Sequence, residues 1–163
     1  MQTRFIPALL TVLAAITLFG CSDDSESAVT ASQQEVVDEW AAAFLDGNPN
    51  AVAALVTEDG VYEERGPHRV FEGQPAIQTH LEEAFRFADA TEMTADSVIA
   101  GDAVLGDDDV IVVEWTMAGM SAPGSRDPAD KTPFSVEAVT VFEMEDGLIA
   151  RSVFYAPWDD LFN

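Results

Sequence analysis

DVIVVEWTMA (residues 109–118), TPFSVEAVTVFEM (132–144) and LIARSVFY (148–155) place an apolar side chain at nearly every second position. A period of two marks a half-buried β-strand, because successive side chains of an extended chain point to opposite faces of a sheet. Asp146-Gly147 between the last two segments is a tight-hairpin signal, and the longer stretch 119–131 separates the first two. Thr91–Leu105 reads as one more strand ahead of them, with Gly106-Asp107-Asp108 as its turn and Gly101-Asp102 as a break or bulge inside it.

Upstream of residue 91 the period changes to 3.6. Ser32 and Glu35 form a capping-box pattern, and Val36, Val37, Trp40, Ala43 and Phe44 follow at helical spacing, which predicts a helix to about Asp46 with Gly47 as its stop. Asn48-Pro49 starts a second short helix through Leu55, with proline at its first position. Gly60 is expected to end this helical pair, ahead of a short strand Val61–Glu64, a loop Gly66–Arg69 and an extended Val70-Phe71. Pro75 opens a third helix whose Ile77, Leu81, Phe85 and Ala88 share a face. Helices followed by a run of strands predict an α+β domain over residues 32–163, three N-terminal helices packed in a curved antiparallel sheet.

The front of the chain carries an address. Arg4, the apolar run Phe5–Phe19 and the small Gly20 before Cys21 resemble a bacterial lipoprotein signal peptide over residues 1–20, and the run is shorter than the about 20 residues of a membrane span. Cys21 would then carry the lipid, and the polar, acidic stretch 21–31 would be a flexible tether. The expectation is a domain lipid-anchored to a bacterial envelope membrane, facing the periplasm or the exterior. Cys21 is the only cysteine, so no intramolecular disulfide forms and the fold rests on its core.

Thirty acidic residues against seven basic ones give a net charge of −23, which repels nucleic acid and anionic surfaces. Lys131 is the single lysine. That balance resembles extracytoplasmic proteins of salt-adapted bacteria, and an ordinary acidic secreted protein fits it equally well. His68 and His80 with scattered acids do not make a metal-ligand spacing, so neither metal nor cofactor is expected.

The order of Trp40, Glu64, Gly73-Gln74-Pro75-Ala76-Ile77, Trp115-Thr116-Met117-Ala118-Gly119 and Glu145-Asp146-Gly147-Leu148-Ile149 resembles the nuclear transport factor 2-like superfamily. Its polyketide-cyclase-like (SnoaL-like) and ketosteroid-isomerase-like branch is the most similar. The resemblance implies a cone-shaped sheet closed at one end by helices, with an apolar pocket at the mouth and a general-base carboxylate on the first strand. That carboxylate falls on Glu64, where desolvation would favour a usable base. The family's helix tyrosine falls on Trp40, and its protonated aspartate on Ala138 or Val139, neither of which can donate a hydrogen bond. The steroid-isomerase oxyanion hole is therefore incomplete.

Alternation puts Tyr62 and Glu64 on one face of the first strand and Glu63 and Arg65 on the other. Tyr62 and His80 are the candidate acid/base partners of Glu64, and Trp40, Ile77, Leu81, Phe85 and Trp115 the candidate pocket wall. Glu114 and Glu137 sit in otherwise apolar strands and are expected on the outer face. Three functions fit. The foremost is a lipid-anchored module binding a small apolar or amphipathic molecule. The others are a cofactor-free isomerase, cyclase or hydratase using Glu64, and an accessory module that docks or forms a homodimer through its sheet.

Overall fold

The structure, a computed structural model, describes residues 29–102, 109–122, 127 and 129–157. The signal segment, Cys21 and most of the expected tether lie outside the described residues, as does the turn at 106–108. Nine elements follow in order: α1 (Ala31–Leu45), α2 (Pro49–Ala54), β1 (Val56–Glu64), β2 (Arg69–Glu72), α3 (Gln74–Phe87), β3 (Ala88–Asp102), β4 (Asp109–Ser121), β5 (Thr132–Glu145) and β6 (Leu148–Tyr155).

Each helix starts for a local reason. The cap of α1 is Thr30, not Ser32: the Thr30 hydroxyl accepts from the Gln33 backbone N–H, while the Gln33 side chain accepts from the Thr30 N–H. This is a capping box built with glutamine, and it starts the helix inside the expected tether. Asn48 caps α2 through Ala51 N–H, with Pro49 next. Ahead of α3 stands Gly73, at φ +80°, where its N–H reaches Gly60 O. That backbone suits glycine best.

The strand β1 begins at Val56, five residues before the expected Val61. Gly60 does not end the helical pair but lies inside this strand, at a register shift against β6. A Cβ there would collide with Val56 Cγ1 and sit 2.9 Å from Thr57 Oγ1. Only glycine lets the strand kink so tightly. The irregularities of β3 fall at Ala90/Glu92 and Ala95/Ser97, upstream of Gly101-Asp102, where the pairing with β4 is regular.

The sheet has the order β2-β1-β6-β5-β4-β3 and is mixed. Every neighbouring pair is antiparallel except β1 and β6, which run parallel. The expectation of a wholly antiparallel sheet is corrected at this one seam: α3 carries the chain from the β2 edge across to β3, and the last strand then returns beside the first. On the inner face, Trp40, Phe142, Ile111, Trp115, Ile77 and Ile149 form the heart of the core. Trp40 meets Phe142 edge-on at 5.2 Å between ring centroids. Such a pair adds about 1 kcal/mol to the burial of the two rings. The indole N–H of Trp115 donates to Thr140 Oγ1 at 3.0 Å, which satisfies the one polar atom of a fully buried ring. Among the described residues no helix is long and apolar enough to cross a membrane.

Candidate functional site

Strand alternation and the β1–β2 hairpin together build the site. Tyr62 and Glu64 face inward and are buried, while Glu63 faces outward. Hairpin register sets Phe71 directly across from Tyr62 and Arg69 across from Glu64, so all four side chains share one face. From above, α3 brings His80 down onto the pair. With Glu64 ionised, His80 Nε2–H donates to Glu64 Oε1 at 2.8 Å, and both side chains are more than nine-tenths buried. The imidazole lies flat on Phe71, with centroids 3.8 Å apart and planes 10° from parallel. Phe71 thus fixes the ring plane, and the fixed plane aims Nε2.

The other carboxylate oxygen, Glu64 Oε2, is buried without a hydrogen bond. Arg69 Nη1 approaches to 3.8 Å, beyond hydrogen-bond length, from a side chain that is 59 % exposed. A buried carboxylate oxygen left open is costly, of the order of 1–3 kcal/mol. Tyr62 is buried beside Glu64 on the same face of β1. Burial, and then the charge of Glu64, push its pKa well above the ordinary tyrosine value, so its phenol stays protonated as a donor.

These groups stand on the wall of a cavity of about 80 Å³ lined by Phe44, Tyr62, Glu64, Leu81, Ala84, Phe85, Ala88, Ala90, Met117, Phe134 and Phe154. Of the expected wall, Leu81 and Phe85 face it. Trp40 stands behind Tyr62 at 6.2 Å between centroids, Ile77 is fully buried in the core, and Trp115 is turned to Thr140, so these three do not line it. Ala138, the inward one of the two aspartate-equivalent positions, lies opposite Trp115 and offers no donor. Glu114 and Glu137 are exposed on the outer face, as expected.

The strand pattern left Arg69, Phe71, Phe44, Met117 and Phe134 out of the candidate site. Arg69 and Phe71 were recoverable from the hairpin: folding the chain back over Gly66–His68 lays Arg69 beside Glu64. His68 takes φ +54° in that turn and makes no part of the site. Glu64 and His80 could supply two metal ligands, but their third neighbour is the cation Arg69, and among the described residues no group of three His, Cys, Asp or Glu could hold an ion.

Comparison with known proteins places this chain and its fold in a family. A hypothetical protein with a ketosteroid isomerase-like fold from Catenulispora acidiphila, solved in complex with trimethylamine, superposes with TM-score 0.63 at 23 % identity, covering 78 % of this chain and 88 % of that one. An M. tuberculosis LEH-like epoxide hydrolase gives TM-score 0.61 at 21 % identity, covering 81 % and 87 %. TsrD from Streptomyces laurentii gives 0.60 at 25 % identity, covering 80 % and 92 %. No curated protein matches. The SnoaL-like domain matches residues 37–152, from the buried Val37 of α1 to Ser152 of β6, and the chain therefore belongs to the SnoaL-like domain family.

Proposed function

We propose that the chain binds a small apolar or amphipathic molecule in the cone cavity, with Glu64 as its polar anchor. One observation carries this reading: Glu64, which has a buried carboxylate oxygen without a hydrogen bond, is the one charged residue in the lining of a cavity whose other side chains are aliphatic, aromatic or thioether. A ligand donor would complete the hydrogen bonding that the protein leaves open. Size narrows the choice. The cavity, about 80 Å³, is near half of the roughly 150 Å³ that holds a benzene molecule. It suits a fragment of a few heavy atoms, and a polycyclic ligand would require it to open. The relative solved with trimethylamine, itself only a few atoms, is consistent with an occupant of this size.

The buried His80–Glu64 pair favours a second reading, proton transfer without a cofactor, as in an isomerase, cyclase or hydratase. Glu64 would take a proton from carbon alpha to a carbonyl, the neutral Tyr62 phenol would donate to the developing enolate oxygen, and Glu64 would return the proton to another atom. The name of the LEH-like relative admits hydration chemistry on the same scaffold.

The test is native mass spectrometry of the full chain, for a molecule that co-purifies, alongside Ala84→Phe to fill the cavity. A ligand present in the wild type and absent from the filled variant supports binding. A ligand retained by the filled variant places it elsewhere. Glu64-dependent exchange of deuterium into a small ketone would move the second reading ahead of the first.

Location and assembly belong to the same proposal. The Phe5–Phe19 run before Cys21 supports lipid attachment at Cys21 and a domain facing the periplasm or exterior, and Cys21→Ala should release the protein from the membrane fraction. On the outer sheet face, Ile99, Val112 and Val141 form one cross-strand row, with Ile99 half exposed and the two valines partly buried. This row supports a homodimer through the sheet. Ile99→Glu should then shift the sedimentation coefficient to that of a monomer.

A further inference from the structure

The cavity is apolar, yet its lining is chemically selective. Five of its eleven lining residues are aromatic, Met117 adds a polarizable sulfur, and Glu64 is the only charged group among them. Phe44 and Phe85 meet edge-to-face at 5.3 Å, an arrangement that turns ring faces in different directions. Aromatic faces carry negative quadrupole charge and attract cations as well as alkyl carbons. The protein's net charge of −23 raises the local concentration of cations and lowers that of anions.

The polar end is as particular. Oε1 of Glu64 is taken by His80, and Oε2 has no hydrogen bond. Among the described residues the basic side chain that approaches Oε2 is Arg69, which reaches it from an exposed position at 3.8 Å and is screened by water. A neutral hydroxyl could fill this need, but a charged N–H adds direct Coulomb attraction to a hydrogen bond that the carboxylate charge already strengthens. An anionic ligand would meet Glu64 at the wall and the overall negative field outside.

We propose that the occupant of this cavity is a small protonated alkylamine, its carbons against the aromatic rings and one N–H on the Glu64 carboxylate. The inference rests on the binding reading above and names the ligand class for the same site. Arg69 then acts as the rival cation, and removing its charge strengthens binding.

The experiment is calorimetric titration of the full chain, near neutral pH and at low ionic strength, with tert-butylammonium and with its uncharged isostere tert-butanol. The ammonium ion should bind about tenfold tighter than the alcohol. Tetramethylammonium, a cation without an N–H, should fall between them. Glu64→Gln should bring the ammonium ion close to the level of the alcohol, while weakening the alcohol far less. Arg69→Gln, at an exposed position that tolerates substitution, should tighten the ammonium ion and leave the alcohol as it was. Equal binding of ammonium and alcohol overturns the amine assignment but leaves a small-molecule pocket. If neither binds, and no small neutral molecule tried at the same concentrations binds either, the pocket reading fails as well.

Discussion

Glu63 and Glu64 are neighbours in the chain and identical in chemistry, and the structure treats them in opposite ways. Glu63 faces outward, where Arg65 and Arg151 each hold it at 2.8 Å, and Arg151 also reaches Glu143 on β5. Its charge is answered twice, and the answer ties β1 to β6 and β5 across the seam. The Arg151 pKa is raised chiefly by its hydrogen bond to Glu63, against the opposing effect of burial. Glu64, one residue on, is turned inward and meets a histidine, a distant arginine and an open oxygen. A saturated carboxylate has little left to offer a ligand. An unsaturated one at a cavity wall does, so a single step of strand alternation separates a structural residue from a candidate functional one.

Breaking the inner pair should cost the most. His80→Leu removes the hydrogen-bond partner that a buried carboxylate has among the described residues and should destabilise the fold by about 3 kcal/mol in urea unfolding. Adding Glu64→Gln to it should recover much of that loss, because no unpaired charge then remains. A full additive loss in the double variant would mean that the two side chains are not energetically coupled.

Tyr62 gives the inner face a distinct alkaline signature. Below about pH 10 the phenol is protonated in both the folded and the unfolded chain. Above it the unfolded chain ionises while the folded one, with its raised pKa, holds the proton, so the folded state binds more protons and stability falls as pH rises. The slope from this one group is up to about 1.4 kcal/mol per pH unit. Tyr62→Phe should remove that part of the fall, measured as unfolding free energy across the alkaline range, and an identical slope in the variant would contradict the assignment.

Phe71→Ala should cost about 1–2 kcal/mol through the lost stack on His80 and the lost contact with Tyr62. The useful readout is the His80 imidazole signal in NMR, which should broaden when the ring plane is freed. The outer carboxylate should matter least: Glu63→Gln is expected to cost about 1 kcal/mol or less, and the loss should shrink as salt is raised. If it matched His80→Leu, the contrast between the two glutamates would collapse.

Much of this protein was legible in order along the chain. Period-two segments marked β4, β5 and β6, Asp146-Gly147 marked their hairpin, and Pro49 and Pro75 marked the starts of α2 and α3. Alternation alone divided Tyr62 and Glu64 from Glu63 and Arg65. These are local properties, set by backbone geometry within a few residues, so sequence by itself determined them. The capping box of α1 was misplaced by two residues because glutamine can close it as glutamate does. The early start of β1 was missed because Gly60 signals a stop as readily as a bulge. What no local pattern contains is distance between remote residues. The parallel seam of β1 and β6, the descent of His80 onto Glu64, the stacking of His80 on Phe71 and the withdrawal of Trp115 to Thr140 all join residues that only packing brings together. The tertiary structure decided them because buried polar groups are costly without a partner and only packing supplies one, and at Glu64 Oε2, as at Ser152 Oγ, the fold supplies none.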